Sequence, residues 1–240
     1  MAGTAIYRRI LLKISGEALT GGGHECFDPA TLNYLCEEIA TALDLNTQVA
    51  VVVGGGNIVR GKMLSKSMKV DRVAADYMGM LATVINGMAL QSALSKAGMV
   101  ARMQTALNVE QVAAPYIREK SEKHLGAGHV MIFSGGTGNP FFSTDTAAAL
   151  RASEIGACAL LKATNVDGVY SSDPTQDPAA RRYDTLPIHD ALTQKLDVMD
   201  ATALALCRER KLPVHVFQLT AAGALAKVLT GESAGTLLTC

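Results

Sequence analysis

The sequence predicts an α/β protein: a three-layer αβα sandwich with a mostly parallel central sheet. Three observations predict it. Short β-branched runs alternate with longer stretches of helical periodicity, the order that lays helices on both faces of a parallel sheet. Residues 49–53 are almost continuous valine, as in a strand buried on both faces. Strands ending near Lys13, Val53, Phe133 and Lys162 run into loops of small and polar residues, where open parallel sheets bind their ligands.

Taken in order, residues 10–15 read as the first strand, broken by Gly16 and the glycines at 21–23. Residues 29–45 have helical spacing in Leu32, Leu35, Ile39 and Leu43, with Asp28 as N-cap and Pro29 at the first helical position. The strand at 49–53 precedes a long helix over about 73–96. Further strands are expected at 100–103, 130–133, 159–162 and 214–217, and further helices at 144–155, 200–210 and 221–229. No repeat, low-complexity tract or long linker intervenes, so residues 1–240 read as a single domain. One soft boundary near Gly156 separates a lobe of about 1–155 from one of about 156–240.

Composition narrows the function classes. Among 240 residues, 22 Lys and Arg balance 22 Asp and Glu, for a formal net charge of +0. A dedicated nucleic-acid site ordinarily brings a basic excess, so none is expected. Hydrophobic residues make up 49% and charged residues 18%, enough for a large core. Cys26, Cys36, Cys158, Cys207 and Cys240 include no C-x-x-C pair and leave one over, which fits reduced thiols. Residues 1–9 lack the apolar core of a signal peptide, and no uninterrupted apolar run reaches the ~18 residues of a membrane span. A cytoplasmic protein without membrane attachment is expected.

The long helix has no charged side chain between Tyr77 and Leu90, and Met78, Met80, Leu81, Val84, Ile85 and Met88 point around more than one face. Such a helix is buried on more than one side. It is either a core helix or one that gives a face to a second subunit, which would make the protein a homo-oligomer.

Four loops carry candidate chemistry. In the first, Lys13 stands near the end of an apolar strand, where an ammonium is costly to bury unpaired. At the sheet mouth it would meet a phosphate, with the Ser15 hydroxyl and Gly16 amide as further donors; otherwise it snorkels to the edge. In the second, Gly54, Gly55 and Gly56 permit positive φ and suit an anion-binding nest. Two familiar motifs fail there. Met63 stands where a Walker loop needs Ser or Thr, and Val59 replaces the third glycine of a dinucleotide fingerprint. Arg60, Lys62, Lys66, Lys69 and Arg72 follow, against Asp71 alone, and suggest phosphate or a solvated basic loop. The third loop runs from Ser134 to Asp145. Ser143 or Thr144 can cap the helix that follows, whose N-terminus attracts anions. Phe141 and Phe142 line a flat ligand or pack in the core. The fourth, from Lys162 through Tyr170 to Pro174, has turn signals at Asp167-Gly168 and Asp173-Pro174. Two strand-end lysines, two glycine loops and a basic loop together suggest phosphoryl transfer without a Walker fold.

These motifs resemble those of the bacterial uridylate kinases, within the amino acid kinase family, over essentially the whole chain. The similarity lies in Lys13-Ile-Ser-Gly-Glu17, Gly54-Gly-Gly-Asn-Ile-Val-Arg60-Gly61, Asp76-Tyr-Met-Gly-Met-Leu-Ala82, Thr137-Gly-Asn-Pro-Phe-Phe-Ser-Thr-Asp145 and Lys162-Ala-Thr-Asn-Val-Asp-Gly168. The resemblance implies the αβα amino acid kinase fold, a homohexamer, and conversion of UMP to UDP by ATP with Mg2+. Carried over by motif, Lys13, Ser15, Gly16, Gly56 and Arg60 would hold ATP phosphates. Thr164, Asn165, Tyr170 and Asp173 would surround the adenosine. Gly55, Asp76, Thr137, Gly138, Asn139, Pro140, Phe141, Phe142, Ser143 and Thr144 would hold UMP, with Asp76 on the ribose. Lys13 and Arg60 would supply the catalytic charge, Asp145 would hold Lys13, and Lys162 would take a lesser part. The lobes would be a UMP-binding and oligomerisation lobe followed by an ATP-binding lobe.

The same resemblance implies inhibition by UTP, which can compete at the UMP site. Activation by GTP is open, because Gln91 and Ser95 replace an arginine and a histidine of proteobacterial relatives, although Arg102 persists and residues 21–26 match the GTP-responsive loop in position. Alternatives are a relative that phosphorylates a carboxylate or carbamate, and a nucleotide-storing protein without turnover. Metal binding by His24, Cys26, His124 and His129 is the weaker reading, since the last two are five apart, off the i, i+4 face. The roles of Asp200 and Cys240 are open.

Overall fold

The structure, a computed structural model, describes residues 4–59, 70–174, 176–196 and 198–240. Its frame is a nine-stranded sheet in the order β4-β3-β5-β2-β1-β6-β10-β11-β9. The strands are β1 (Arg9–Ile14), β2 (Gln48–Val53), β3 (Ala101–Thr105), β4 (Ala114–Pro115), β5 (Val130–Ser134), β6 (Ala159–Thr164), β9 (Thr185–Pro187), β10 (Val214–Gln218) and β11 (Thr236–Thr239). Every adjacent pair is parallel except β10 with β11. A separate hairpin pairs β7 (Val169–Tyr170) with β8 (Arg182–Tyr183).

Strand parity divides the core into two layers. From β1, Ile10, Leu12 and Ile14 face the layer of α1 (Pro29–Asp44), α2 (Arg72–Lys96) and α7 (Ala224–Thr230). Leu11 faces the opposite layer, built by α3 (Arg118–Gly126), α4 (Thr144–Glu154), α5 (Ile188–Thr193) and α6 (Ala201–Glu209). The valines of β2 split the same way, Val49, Val51 and Val53 against Val52. That explains why the run carries no polar residue.

Expected bounds mostly shift by a residue or two. Asp28 caps α1, its carboxylate accepting from the Thr31 amide at 2.9 Å, with Pro29 in the first turn. The last helix begins at Ala224 rather than 221, because Gly223 takes a left-handed conformation (φ 67°) at its cap. The short strands β4, β7, β8, β9 and β11, with α3 and α5, were not expected. In α3, only Ser121 and Leu125 are buried, so no apolar periodicity announces it.

Helix α2 combines both readings of its composition. Val84, Leu90 and Leu94 are buried against the sheet, while Tyr77, Met78, Leu81, Ile85 and Met88 are 40–48% exposed along one stripe. Among the described residues it is also the one helix long and apolar enough to cross a membrane by length and composition. Here it packs on α1, β2, β3 and β5.

Candidate active site

The same parity builds the site. Lys13 shares a strand face with Leu11, and Lys162 shares one with Leu160, so both lysines point toward the layer that holds α4. That helix starts at the carboxyl ends of these strands and offers Asp145 in its first turn. Lys13 Nζ lies 2.7 Å from Asp145 Oδ1, and Lys162 Nζ lies 2.8 Å from Asp145 Oδ2. Lys162 also donates to the Val198 carbonyl. Burial pushes the Asp145 carboxyl up, but the attraction and hydrogen bonds of the two ammonium groups outweigh it and hold it below the usual carboxylate range. The carboxylate is therefore ionised and fixes both cations. Lys162, expected to play the lesser part, is held as closely as Lys13.

The start of α4 is itself anchored. Ser143 caps it, accepting from the amides of Asp145 at 3.0 Å and Thr146 at 3.2 Å, and donates its own proton to Asp200. Asp200 also accepts from Thr146 Oγ1 at 2.8 Å and caps α6 through the Ala203 amide at 3.0 Å. This answers the open question of Asp200. One carboxylate ties together the starts of two helices, the first of which carries Asp145.

Two cavities flank this cluster. The first, of about 400 Å³, is walled by Gly55, Gly56, Asp76, Asn139, Phe141, Phe142, Ser143 and Thr144, with Arg72, Thr83 and Asp200. Thr137, Gly138 and Pro140 lie in the same loop but not on that wall; Thr137 Oγ1 bonds the amide and carbonyl of Asn139 and shapes the turn. Phe141 and Phe142 are 67% and 50% exposed, so neither packs in the core. Asp76 accepts from Arg72 Nε at 2.9 Å and from the Phe141 amide at 2.8 Å. Phe141 holds a positive φ of 73° at that contact, a strained conformation for a bulky residue.

The second cavity, of about 730 Å³, is walled by Lys13, Ser15, Glu17, Lys162, Thr164, Asn165, Tyr170 and Asp173. The Tyr170 hydroxyl donates to Asp167 at 2.7 Å, and Arg182 pairs with the other carboxylate oxygen at 2.9 Å, which sets the tyrosine on the β7–β8 hairpin. Gly16 is not on this wall and packs instead on Gly54, Gly56 and Asn57.

The glycine loops work differently from expectation. None of Gly54, Gly55 and Gly56 adopts positive φ, so no left-handed nest forms there. They are needed for close approach. A Cβ on Gly55 would lie 2.6 Å from the Gly79 carbonyl of α2, and one on Gly16 would lie 2.7 Å from the Gly54 carbonyl. Positive φ belongs instead to the third loop, at Gly135, Gly136 and Gly138.

Comparison with known proteins identifies the family. The model of the amino acid kinase family matches residues 8–218. The chain belongs to that family. The crystal structure of UMP kinase from Bacillus anthracis is 40% identical, with a TM-score of 0.94, covering 97% of this chain and 96% of that one. UMP kinase from Ureaplasma parvum is 39% identical with a TM-score of 0.91, over 97% and 99%. Uridylate kinase from Archaeoglobus fulgidus is 27% identical with a TM-score of 0.76, over 96% and 99%.

Within this family of phosphotransferases, the residues brought together are Lys13, Asp145 and Lys162. Arg60 lies outside the described residues, as do Lys62, Lys66 and Lys69. No sequence motif marks Thr83; the sequence shows Arg72 only as part of the basic loop and leaves the role of Asp200 open, for no motif shows contacts made on folding. The histidine candidates form no metal cluster: among the described residues no three His, Cys, Asp or Glu side chains could share an ion. His124 and His129 do meet, Nδ1 to Nδ1 at 3.2 Å.

Proposed function

We propose that the chain transfers the γ-phosphoryl group of ATP to UMP, giving UDP and ADP. One observation carries this reading. The first turn of α4 walls the smaller cavity, while its Asp145 holds two ammonium groups that wall the larger. A donor in one cavity and an acceptor in the other would meet beside fixed positive charge. Likeness at 39–40% identity to UMP kinases supports UMP as the acceptor.

The chemistry asks for little else. The acceptor is already an ionised phosphate, so no strong general base is needed. The barrier is repulsion between anions and alignment for in-line attack, which charge and positioning address. Lys13 and Lys162 would neutralise charge on the transferring group, with Arg60 as a third cation. Asp76 would accept from the ribose, and Thr164, Asn165, Tyr170 and Asp173 would hold the adenosine half.

Magnesium fits as a companion of ATP rather than as a resident ion. Both Asp145 oxygens already meet ammonium groups, and Mg2+ commonly takes one or two carboxylates with substrate phosphates. Glu17, on the larger cavity's wall beside Lys13 and Ser15, would meet it. Its chemistry there would be to neutralise charge on the phosphates.

Residues 1–155 would form the UMP-binding and oligomerisation lobe and residues 156–240 the ATP-binding lobe. The exposed α2 stripe would bury itself in a homo-oligomer, a hexamer by analogy, working in the cytoplasm to supply pyrimidine nucleotides. UTP would inhibit at the UMP cavity. GTP activation is the less supported part, because Gln91 is engaged with the Ala101 carbonyl at 3.2 Å. Incubation with Mg-ATP and UMP, followed by anion-exchange separation, tests the reaction. Equal UDP and ADP are expected; ADP without UDP refutes it.

A further inference from the structure

Helix α2 has an inner face as distinctive as its outer one. Thr83 and Asn86, three residues apart on that face, are 2% and 0% exposed. A buried hydroxyl or amide is costly unless bonded, and each of these is bonded to a different glycine loop. Thr83 Oγ1 donates to the Met80 carbonyl and accepts from the Gly135 amide, both at 2.7 Å. Gly135 opens the loop that brings Asn139, Phe141 and Phe142 to the smaller cavity. Asn86 Nδ2 donates to the Gly54 carbonyl at 2.6 Å and to Asn57 Oδ1 at 2.7 Å, and its Oδ1 accepts from Asn57 Nδ2 at 3.2 Å.

The second set of bonds reaches the phosphate loops. A Cβ on Gly16 would lie 2.6 Å from Asn57 Oδ1 and 2.7 Å from the Gly54 carbonyl and the Gly56 amide. The two atoms that Asn86 grips are thus the ones on which Gly16 rests. Gly54 also donates to the Ile14 carbonyl at 2.8 Å, next to Lys13. One rigid helix therefore sets two loops: one carries Asn139, Phe141 and Phe142 to the smaller cavity, and the other carries Gly55 and Gly56 there and backs Gly16 next to Ser15.

We infer that Thr83 and Asn86 are positioning residues for phosphoryl transfer, Thr83 placing the acceptor loop and Asn86 placing the loop of residues 54–57 that joins the acceptor cavity to Gly16 on the donor side. This rests on the reading of the chain as a UMP kinase. In-line attack tolerates little error, a misplacement of about 1 Å costing about 100-fold in rate. Anchoring both loops to neighbouring positions of one helix fixes their separation.

The test is steady-state kinetics, with ATP and UMP varied separately, on Thr83→Val, Thr83→Ser, Asn86→Ala and Asn57→Ala, alongside thermal melts. Thr83→Val is expected to raise KM for UMP about 5- to 20-fold with KM for ATP within about twofold, and Thr83→Ser to restore it. Asn86→Ala is expected to lower kcat about 10- to 100-fold, more than any loss of folded protein explains. Asn57→Ala removes the same side-chain pair from a half-buried position, so it decides the matter if Asn86→Ala does not fold; its loss of kcat should run in the same direction. Variants that lose activity only in proportion to folded protein, or leave kcat and both KM values unchanged, overturn the inference. Wild-type protein that makes no UDP overturns the underlying reading and this inference with it, whereas active wild type with unchanged variants overturns this inference alone.

Discussion

Lys13 and Lys162 are register partners across the parallel strands β1 and β6, and their ammonium groups converge on one carboxylate instead of spreading apart. Like charges on neighbouring strands repel. The anion between them makes the pair tolerable at 9% and 15% side-chain exposure, with the Val198 carbonyl as a further acceptor for Lys162. Asp145 thus holds together an arrangement that becomes useful when phosphate arrives.

Removing that anion should cost both stability and rate. Asp145→Asn leaves two partly buried cations facing each other, a loss on the order of 3 kcal/mol. Rate should fall about 100- to 1000-fold, comparable to removal of an electrostatic donor at other active sites. Thermal melts and turnover on the same preparation check this. A variant melting like wild type would mean the carboxylate is not structurally coupled to the lysines.

Asp200 should matter through Ser143 and α4. Asp200→Ala removes the α6 cap, worth about 1 kcal/mol, and frees the Ser143 hydroxyl. Its kcat should drop more than its stability explains, while Asp200→Asn, still able to cap and accept, should retain most of both. Equal effects of the two substitutions on kcat would place the role elsewhere.

His215 predicts an acid limit. Burial drives its pKa down to about 4, and its ring meets the Tyr7 hydroxyl at 2.8 Å. The folded protein keeps the imidazole neutral, whereas the unfolded chain takes a proton near pH 6.5. The unfolded state then binds more protons between the two values, so stability falls as pH drops from about 6.5 to about 4. The contribution is on the order of 2–3 kcal/mol. Denaturant titrations at pH 7 and pH 4.5 should show a smaller loss for His215→Gln than for wild type.

The exposed stripe on α2 should be an assembly surface. Leu81→Asp or Ile85→Asp places a charge on it without touching Thr83 or Asn86. Light scattering should show wild type as an oligomer and these variants as smaller species. Unchanged mass in both variants would refute the assignment of this stripe.

Much of this was readable before any fold was known, and the limits were physical. The alternation of 49–53 with helical runs marked the sheet, because burial on two faces leaves only apolar residues. Lys13 and Asp145 could be singled out as chemically awkward or well placed. The pairing of Lys162 with Lys13 on one carboxylate could not be read, because it lies in strand register, which no local pattern displays. The role of Gly55 was misread as backbone freedom, since a close approach to Gly79 depends on a helix more than twenty residues away. Asp200, Thr83 and Asn86 act through long-range hydrogen bonds. Such residues look like ordinary caps and helix fillers until the chain is folded.

The most direct measurement is ADP release with Mg-ATP and a panel of acceptors: UMP, CMP, dUMP, aspartate, N-acetylglutamate and carbamate, for wild type and Lys13→Ala. The expected result is turnover with UMP far above that with any carboxylate or carbamate, falling about 100- to 1000-fold in the variant. Preference for a carboxylate, or UMP turnover that survives loss of Lys13, would contradict phosphoryl transfer to UMP at the Lys13–Asp145–Lys162 cluster.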